Sequence, residues 1–179
     1  MTVYFKKIDS IVLPLPSDLD SIKGVLKFHY GHPRYFEIID QNYLESLTKV
    51  FKIPPTNVFY VEGHGVLLPH RDSGQNSCFN FYLRTGGYTT SFWKPKENAK
   101  PRTSSRYDAA TNTTREVNIG YHYEGLILID KFQASDGEAY LLNISQIHSV
   151  DGANPEKPRV FIQLQWDMTM DELLKALEF

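Results

Sequence analysis

A chain of 179 residues is long enough to close a hydrophobic core as one domain without disulfide staples. Its 19 basic and 21 acidic side chains leave a net charge of −2, so no whole-chain field draws in phosphate backbones or anionic lipid, and neither a nucleic-acid nor a membrane partner is indicated. The single cysteine, Cys78, excludes an internal disulfide and a cysteine-based zinc site, which fits a reducing cytoplasm.

Met1 to Lys7 has a short apolar start with no long apolar run behind it, so neither a secretory signal nor a membrane span is expected. Ile8 to Pro16 reads as a strand ending in Pro-Leu-Pro. Ser17 to Tyr30 is ambiguous, with Ser17 and Asp20 able to cap a short helix. Asp40 caps a helix through Phe51, because Tyr43, Leu44, Leu47, Val50 and Phe51 form one apolar stripe at helical spacing, and Pro54-Pro55 ends it. Strands are predicted over Asn57–Glu62, Val66–His70, Ser77–Arg84, Thr89–Trp93, Gly125–Asp130, Glu138–Asn143 and Arg159–Asp167. Many short strands separated by Gly, Pro and Asn indicate a mainly β sandwich or barrel. Lys94 to Asn118, nearly devoid of aliphatics, reads as a long exposed loop, either a lid or an insertion. Thr169 and Glu172 form a capping box for a helix through Leu177, with Leu173, Leu174 and Leu177 facing inward. The whole is read as one domain, 1–179, in which residues 1 to about 56 supply supporting helices and a strand.

A mononuclear Fe(II) centre that activates dioxygen needs two imidazoles and a carboxylate on one face, with the other positions open. His70 and Asp72 stand two apart where a strand runs out, which lets both converge on one ion. His148, read as following a strand and preceding a turn of Asp151, Gly152 and Asn154, supplies the second imidazole. Eleven residues later Arg159, Phe161, Gln163 and Gln165 alternate with Val160, Ile162, Leu164 and Trp166. The aliphatic face suits packing against a second layer. The opposite face puts the Arg159 guanidinium inside a barrel mouth, where it needs a carboxylate partner.

In this order, Tyr60-Val61-Glu62-Gly63, Pro69-His70-Arg71-Asp72, Phe79-Asn80-Phe81-Tyr82-Leu83, Gly86-Gly87, Asp136 to Leu142, His148 and Pro158-Arg159-Val160 resemble the 2-oxoglutarate- and Fe(II)-dependent oxygenases, nearest the prolyl-hydroxylase-like branch. The resemblance spans about Val58 to Asp167. It implies a double-stranded β-helix of jelly-roll type with flanking helices. It also implies iron on His70, Asp72 and His148, and Arg159 on the distal carboxylate of 2-oxoglutarate, with dioxygen as co-substrate. Asn80 and Tyr82, alternating on the strand after the metal pair, are candidates for hydrogen bonds to 2-oxoglutarate. The chain departs from that branch at Leu68, where a tyrosine is frequent, and at Arg159, where a lysine is frequent.

The remaining histidines carry quieter expectations. His122, between two tyrosines, reads as packed; His29 and His32 read as structural, because Gly31 and Pro33 oppose a helix joining them. His64 reads as a turn residue bordering the cleft. Arg102, Arg106 and Arg115 read as a solvated face within reach of an acidic substrate if their loop folds over the iron. The expected function is hydroxylation of a protein side chain, prolyl included, or of a small metabolite. Set against it are a non-catalytic jelly-roll module and a cupin-type metalloenzyme without 2-oxoglutarate.

Overall fold

The computed structural model describes residues 2–11, 13–14, 16, 18–29, 33–51, 53–72, 76–108, 113–152 and 157–177. Ser17, Tyr30, Gly31, His32 and Asn154, which figure in the expectations above, lie outside them. In chain order the elements are β1 (Phe5–Lys7), α1 (Leu19–Ile22), β2 (Lys23–His29), β3 (Arg34–Ile38), α2 (Gln41–Lys49), β4 (Asn57–Gly63), β5 (Leu67–His70), β6 (Ser77–Arg84), β7 (Thr89–Pro95), β8 (Pro101–Asp108) and β9 (Thr113–Tyr121). After a single 3-10 turn at Tyr123–Gly125 come β10 (Leu126–Gln133), β11 (Ala139–Leu142), β12 (Ile147–Asp151), β13 (Arg159–Trp166) and α3 (Met170–Ala176).

From β4 onward the chain passes back and forth between two antiparallel sheets. Strands β4, β6, β11 and β13 enter a seven-stranded sheet of order β1-β11-β6-β13-β4-β3-β2, and β5, β7, β10 and β12 form a four-stranded sheet of order β10-β7-β12-β5. Eight strands wound in this order are a double-stranded β-helix, or jelly roll.

Period-two alternation gives the larger sheet two buried faces. On its outer face Phe79, Phe81, Leu141, Ile162, Leu164 and Trp166 pack with Leu47 of α2 and Leu173 of α3. On its inner face Cys78, Tyr82, Tyr140, Leu142 and Phe161 pack with Phe92 and Phe132 of the smaller sheet. Strand β13 is therefore buried at every position. The two helices that cover the outer face start where the sequence says they should. Asp40 Oδ1 accepts from the Tyr43 backbone N–H at 3.0 Å. Thr169 and Glu172 cap each other reciprocally, at 3.3 and 2.9 Å.

Three expectations are corrected, and a stretch left open takes a definite form. No described residue between 8 and 16 is in a strand; Phe5–Lys7 pairs with β11 instead, while Pro14 and Pro16 lack the N–H a ladder requires. Phe28, in the stretch left open, belongs to β2, which pairs with a second unexpected strand, β3. The segment read as a long loop is a β-hairpin, β8 pairing with β9 from Pro101↔Tyr121 to Asp108↔Thr113. Its threonines favour extended backbone, and the lack of aliphatics reflects exposure, since Thr103, Ser104, Ser105, Thr113 and Thr114 all face solvent. Finally, His148 lies within strand β12 and not after one.

The hairpin returns against the free edge of the smaller sheet at Gly120, whose backbone has φ of +130°. A Cβ there would sit 2.2 Å from the Pro69 carbonyl oxygen, so only glycine allows β9 to lie against β5. Among the described residues no helix is long and apolar enough to cross a membrane.

The helix layer is predicted to hold the fold through burial more than through capping. Leu173→Ala should lower unfolding free energy by about 2–5 kcal/mol and Thr169→Ala by about 1 kcal/mol, as read from denaturant titrations. The reverse order would show that α3 is held mainly by its cap.

Candidate metal centre

The site is built from strand register. In the antiparallel pair of β5 and β12, His148 stands directly opposite His70, so both imidazoles leave the sheet on the same face with ring centroids 4.5 Å apart. Between His148 and Val150 the register shifts by a bulge on the Leu68-Pro69 side. An edge strand tolerates both the bulge and a proline without N–H. Asp72 lies two residues beyond His70 and returns to the same face, fixed there by its N–H donating to the Ile144 carbonyl at 3.2 Å. His70 Nε2 and Asp72 Oδ1 are 3.3 Å apart, and one donor atom from each of the three residues lies within 4.8 Å of the other two.

Each imidazole is held by its far nitrogen. His70 Nδ1 is 2.8 Å from the Leu68 carbonyl oxygen, and His148 Nδ1 is 3.0 Å from that of Gln146. A carbonyl only accepts, so in each neutral ring Nδ1 carries the proton and Nε2 presents its lone pair to the common point. Burial lowers the His148 pKa below the ordinary imidazole value, against the pull of Asp72, and keeps that ring neutral. Burial also works against the charged forms of His70 and Asp72, but the bond between them outweighs it, raising His70 and lowering Asp72. The pocket thus favours an ionised carboxylate and a positive charge beside it. A divalent cation meets that demand better than the shared proton does. Two imidazole nitrogens and one carboxylate oxygen on one face are the donor types that a mononuclear Fe(II) site uses.

These residues open into a cavity of about 1050 Å³ between the sheets. Arg159, the first residue of β13, lines it and is 6 % exposed, with its guanidinium carbon 4.8 Å from the Phe161 ring centroid. Its Nε has no hydrogen-bond partner, and among the described residues no carboxylate lies within ion-pair range of it. A buried guanidinium without an anion is costly, so this one is suited to receiving a ligand carboxylate.

Asn80 also lines the cavity, accepting from Gln163 Nε2 at 3.1 Å, and Gln163 Oε1 in turn accepts from Gln165 at 2.7 Å. Tyr82 is not among the lining residues. It is packed by the rings of Phe132, Tyr140 and Phe161, with a buried hydroxyl that has no hydrogen-bond partner among the described residues. His64 borders the cavity, whereas His122 is exposed and only opens the 3-10 turn. Arg102 lines the cavity as well; the side chains of His29, Arg106 and Arg115 are not described. The glutamine ladder was missed as part of the site, although two polar residues on the inward alternation of an otherwise apolar strand were a visible signal. The Leu68 and Gln146 carbonyls leave no mark in the sequence.

The strand order defines the class as a jelly roll. No family model matches the sequence, and no curated protein matches it. Solved structures with partial likeness to this chain include hydroquinone 1,2-dioxygenase from Sphingomonas sp. TTNP3, at 12% identity and TM-score 0.38 over 65% of this chain and 62% of that one. The Drosophila melanogaster CENP-C cupin domain gives 9% identity and TM-score 0.30, over 84% of each chain. A cupin-like protein from Thermotoga maritima gives 14% identity and TM-score 0.30, over 87% of this chain and 95% of that one.

Removing any one of His70, Asp72 or His148 as alanine is expected to weaken Fe(II) or Co(II) binding by at least about tenfold, while His122→Ala leaves it unchanged. Anaerobic metal titration of the four variants checks this. Parent-like affinity in all three ligand variants would place the metal elsewhere.

Proposed function

We propose that this protein is an Fe(II)-dependent oxygenase that uses 2-oxoglutarate as co-substrate. One observation carries the reading: a convergent two-histidine, one-carboxylate set and a buried arginine without a carboxylate partner share a single cavity. Iron, when bound, supplies the redox chemistry by which dioxygen and the co-substrate are consumed. The overall reaction takes a substrate C–H, dioxygen and 2-oxoglutarate to C–OH, succinate and carbon dioxide.

This chain's own residues hold, orient and exclude. His70, Asp72 and His148 hold the metal on one side only, with their Nδ1 or backbone contacts preventing rotation. Arg159 receives the distal carboxylate of 2-oxoglutarate through a charge-assisted pair and fixes which end faces the metal. Asn80 stands on the same wall, braced by Gln163, and offers its amide to the co-substrate. Leu142, Ile144, Val150 and Phe161 line the space with apolar surface that limits water near the reacting carbon. The substrate carbon is that of a small metabolite or a protein side chain.

Arg159 separates this reading from a cupin-type metalloenzyme that takes no 2-oxoglutarate. Losing a charge-assisted pair costs roughly 1.5–3 kcal/mol, so Arg159→Ala should weaken 2-oxoglutarate by at least about tenfold. Fe(II) affinity should stay unchanged, and Arg159→Lys should recover part of the loss. The readouts are the visible charge-transfer band on anaerobic addition of Fe(II) and 2-oxoglutarate, and succinate formation in air. If the parent shows neither band nor succinate while still binding Fe(II), the metalloenzyme without 2-oxoglutarate is the correct reading.

A further inference from the structure

The cavity carries more positive charge than the proposed co-substrate uses. Three arginines line it, Arg71, Arg102 and Arg159, against one carboxylate among the described residues, Asp72, which the metal would take. Arg159 is assigned to 2-oxoglutarate. Arg71 and Arg102 remain, and among the described residues neither has a carboxylate within ion-pair distance. Their placement follows from the same backbone features that build the site. Arg71 lies between His70 and Asp72, at the end of β5. Arg102 pairs with Gly120 across the hairpin, and Gly120 is the residue that packs on the Pro69 carbonyl. The hairpin thus brings the Arg102 position to the metal-bearing end of β5.

The same cavity has an apolar rim. Val66 and Leu68 at β5 and Ile119 on β9 line it and are 54 %, 46 % and 42 % exposed, so they present aliphatic surface at its mouth. An aliphatic surface beside two arginines without an ion pair among the described residues matches a ligand with a hydrocarbon body and an anionic end. A cavity of about 1050 Å³ lies at the upper end of the roughly 300–1,000 Å³ that holds small ligands, which leaves room beside the co-substrate.

We infer that the oxidised substrate is a small amphiphilic acid, a carboxylate or phosphate on an aliphatic chain, bound by Arg71 and Arg102 with its hydrocarbon against Val66, Leu68 and Ile119. This rests on reading the cavity as the oxygenase site. The two cations hold the anionic end at the mouth, and the apolar rim directs the chain so that a C–H, not the head group, faces the metal.

The test is anaerobic binding, with the full chain loaded with Fe(II) and saturated with 2-oxoglutarate. The probes are octanoate, octyl phosphate, octan-1-ol and an acidic proline-containing peptide, measured by calorimetry. One or both anions should bind at least about tenfold more tightly than octan-1-ol, the worth of one charge-assisted contact. Whichever anion binds better identifies the head group. Arg71→Gln and Arg102→Gln should each remove most of that advantage, weakening with added salt should be steeper in the parent, and lysine at either position should restore part. Both sites are at least partly solvent-exposed, and unfolding curves of the variants confirm that they fold. Equal affinity for octanoate, octyl phosphate and octan-1-ol, indifference to both glutamine substitutions, or tighter binding of the peptide than of either anion would overturn the inference. Repeating the titration on metal-free protein without 2-oxoglutarate separates the two proposals. Arginine-dependent anion binding there, with no 2-oxoglutarate binding in the loaded protein, would remove the co-substrate and leave the acid-binding site standing.

Discussion

The register of one antiparallel strand pair is the constraint on which the site depends. His70 and His148 are 78 positions apart in the chain and meet because β5 and β12 pair with those two residues opposite each other. A slip of one residue would turn one ring to the far face of the sheet and dissolve the donor set. Register is defended from both sides. Strand β12 is clamped against β7 over five consecutive pairs, from Ile147↔Trp93 to Asp151↔Thr89, and Trp93 Nε1 donates to Ser149 Oγ at 2.9 Å. On the other side Gly120 lets the β8–β9 hairpin press on Pro69 and cover the edge that β5 would otherwise expose.

A second consequence of the two-sheet architecture is the division of labour along β13. Its outer residues Val160, Ile162, Leu164 and Trp166 close the core beneath α2 and α3, and its inner residues Arg159, Phe161, Gln163 and Gln165 face the cavity. Burying three polar side chains on one strand costs free energy unless each is satisfied. Gln163 and Gln165 satisfy each other and Asn80. Of these β13 side chains Arg159 keeps an unmatched buried nitrogen among the described residues, and a ligand is its natural complement. The positive balance of the cavity extends the same logic outward, from Arg159 to Arg71 and Arg102.

The residues that announce the fold are those whose burial pattern is one-sided or whose caps are local. Strand β6 was readable as Ser77–Arg84 from its aromatic run, α3 from its Thr169–Glu172 box, and β13 from strict alternation. That residues 70, 72, 148 and 159 border one cavity was likewise expected from their order in the chain. Less legible was anything whose identity depends on distant partners. The β8–β9 hairpin has little apolar patterning because both of its faces are mostly exposed, so by composition it resembles a loop. Strand β12 hides in Ile-His-Ser-Val-Asp, where the polar residues are buried by neighbouring strands and not by their own chemistry. Arg71 and Arg102 show their common role only once Gly120 brings the hairpin against β5.

X-ray absorption of the Fe(II)-loaded protein tests the central claim most directly, since it counts the ligands that the β5–β12 register brings together. The parent should show two imidazole nitrogens and a carboxylate oxygen from the protein, and His148→Ala should show one imidazole with the remaining shell filled by light oxygen scatterers. A sulfur neighbour from Cys78, or an imidazole count unchanged by His148→Ala, would contradict the account.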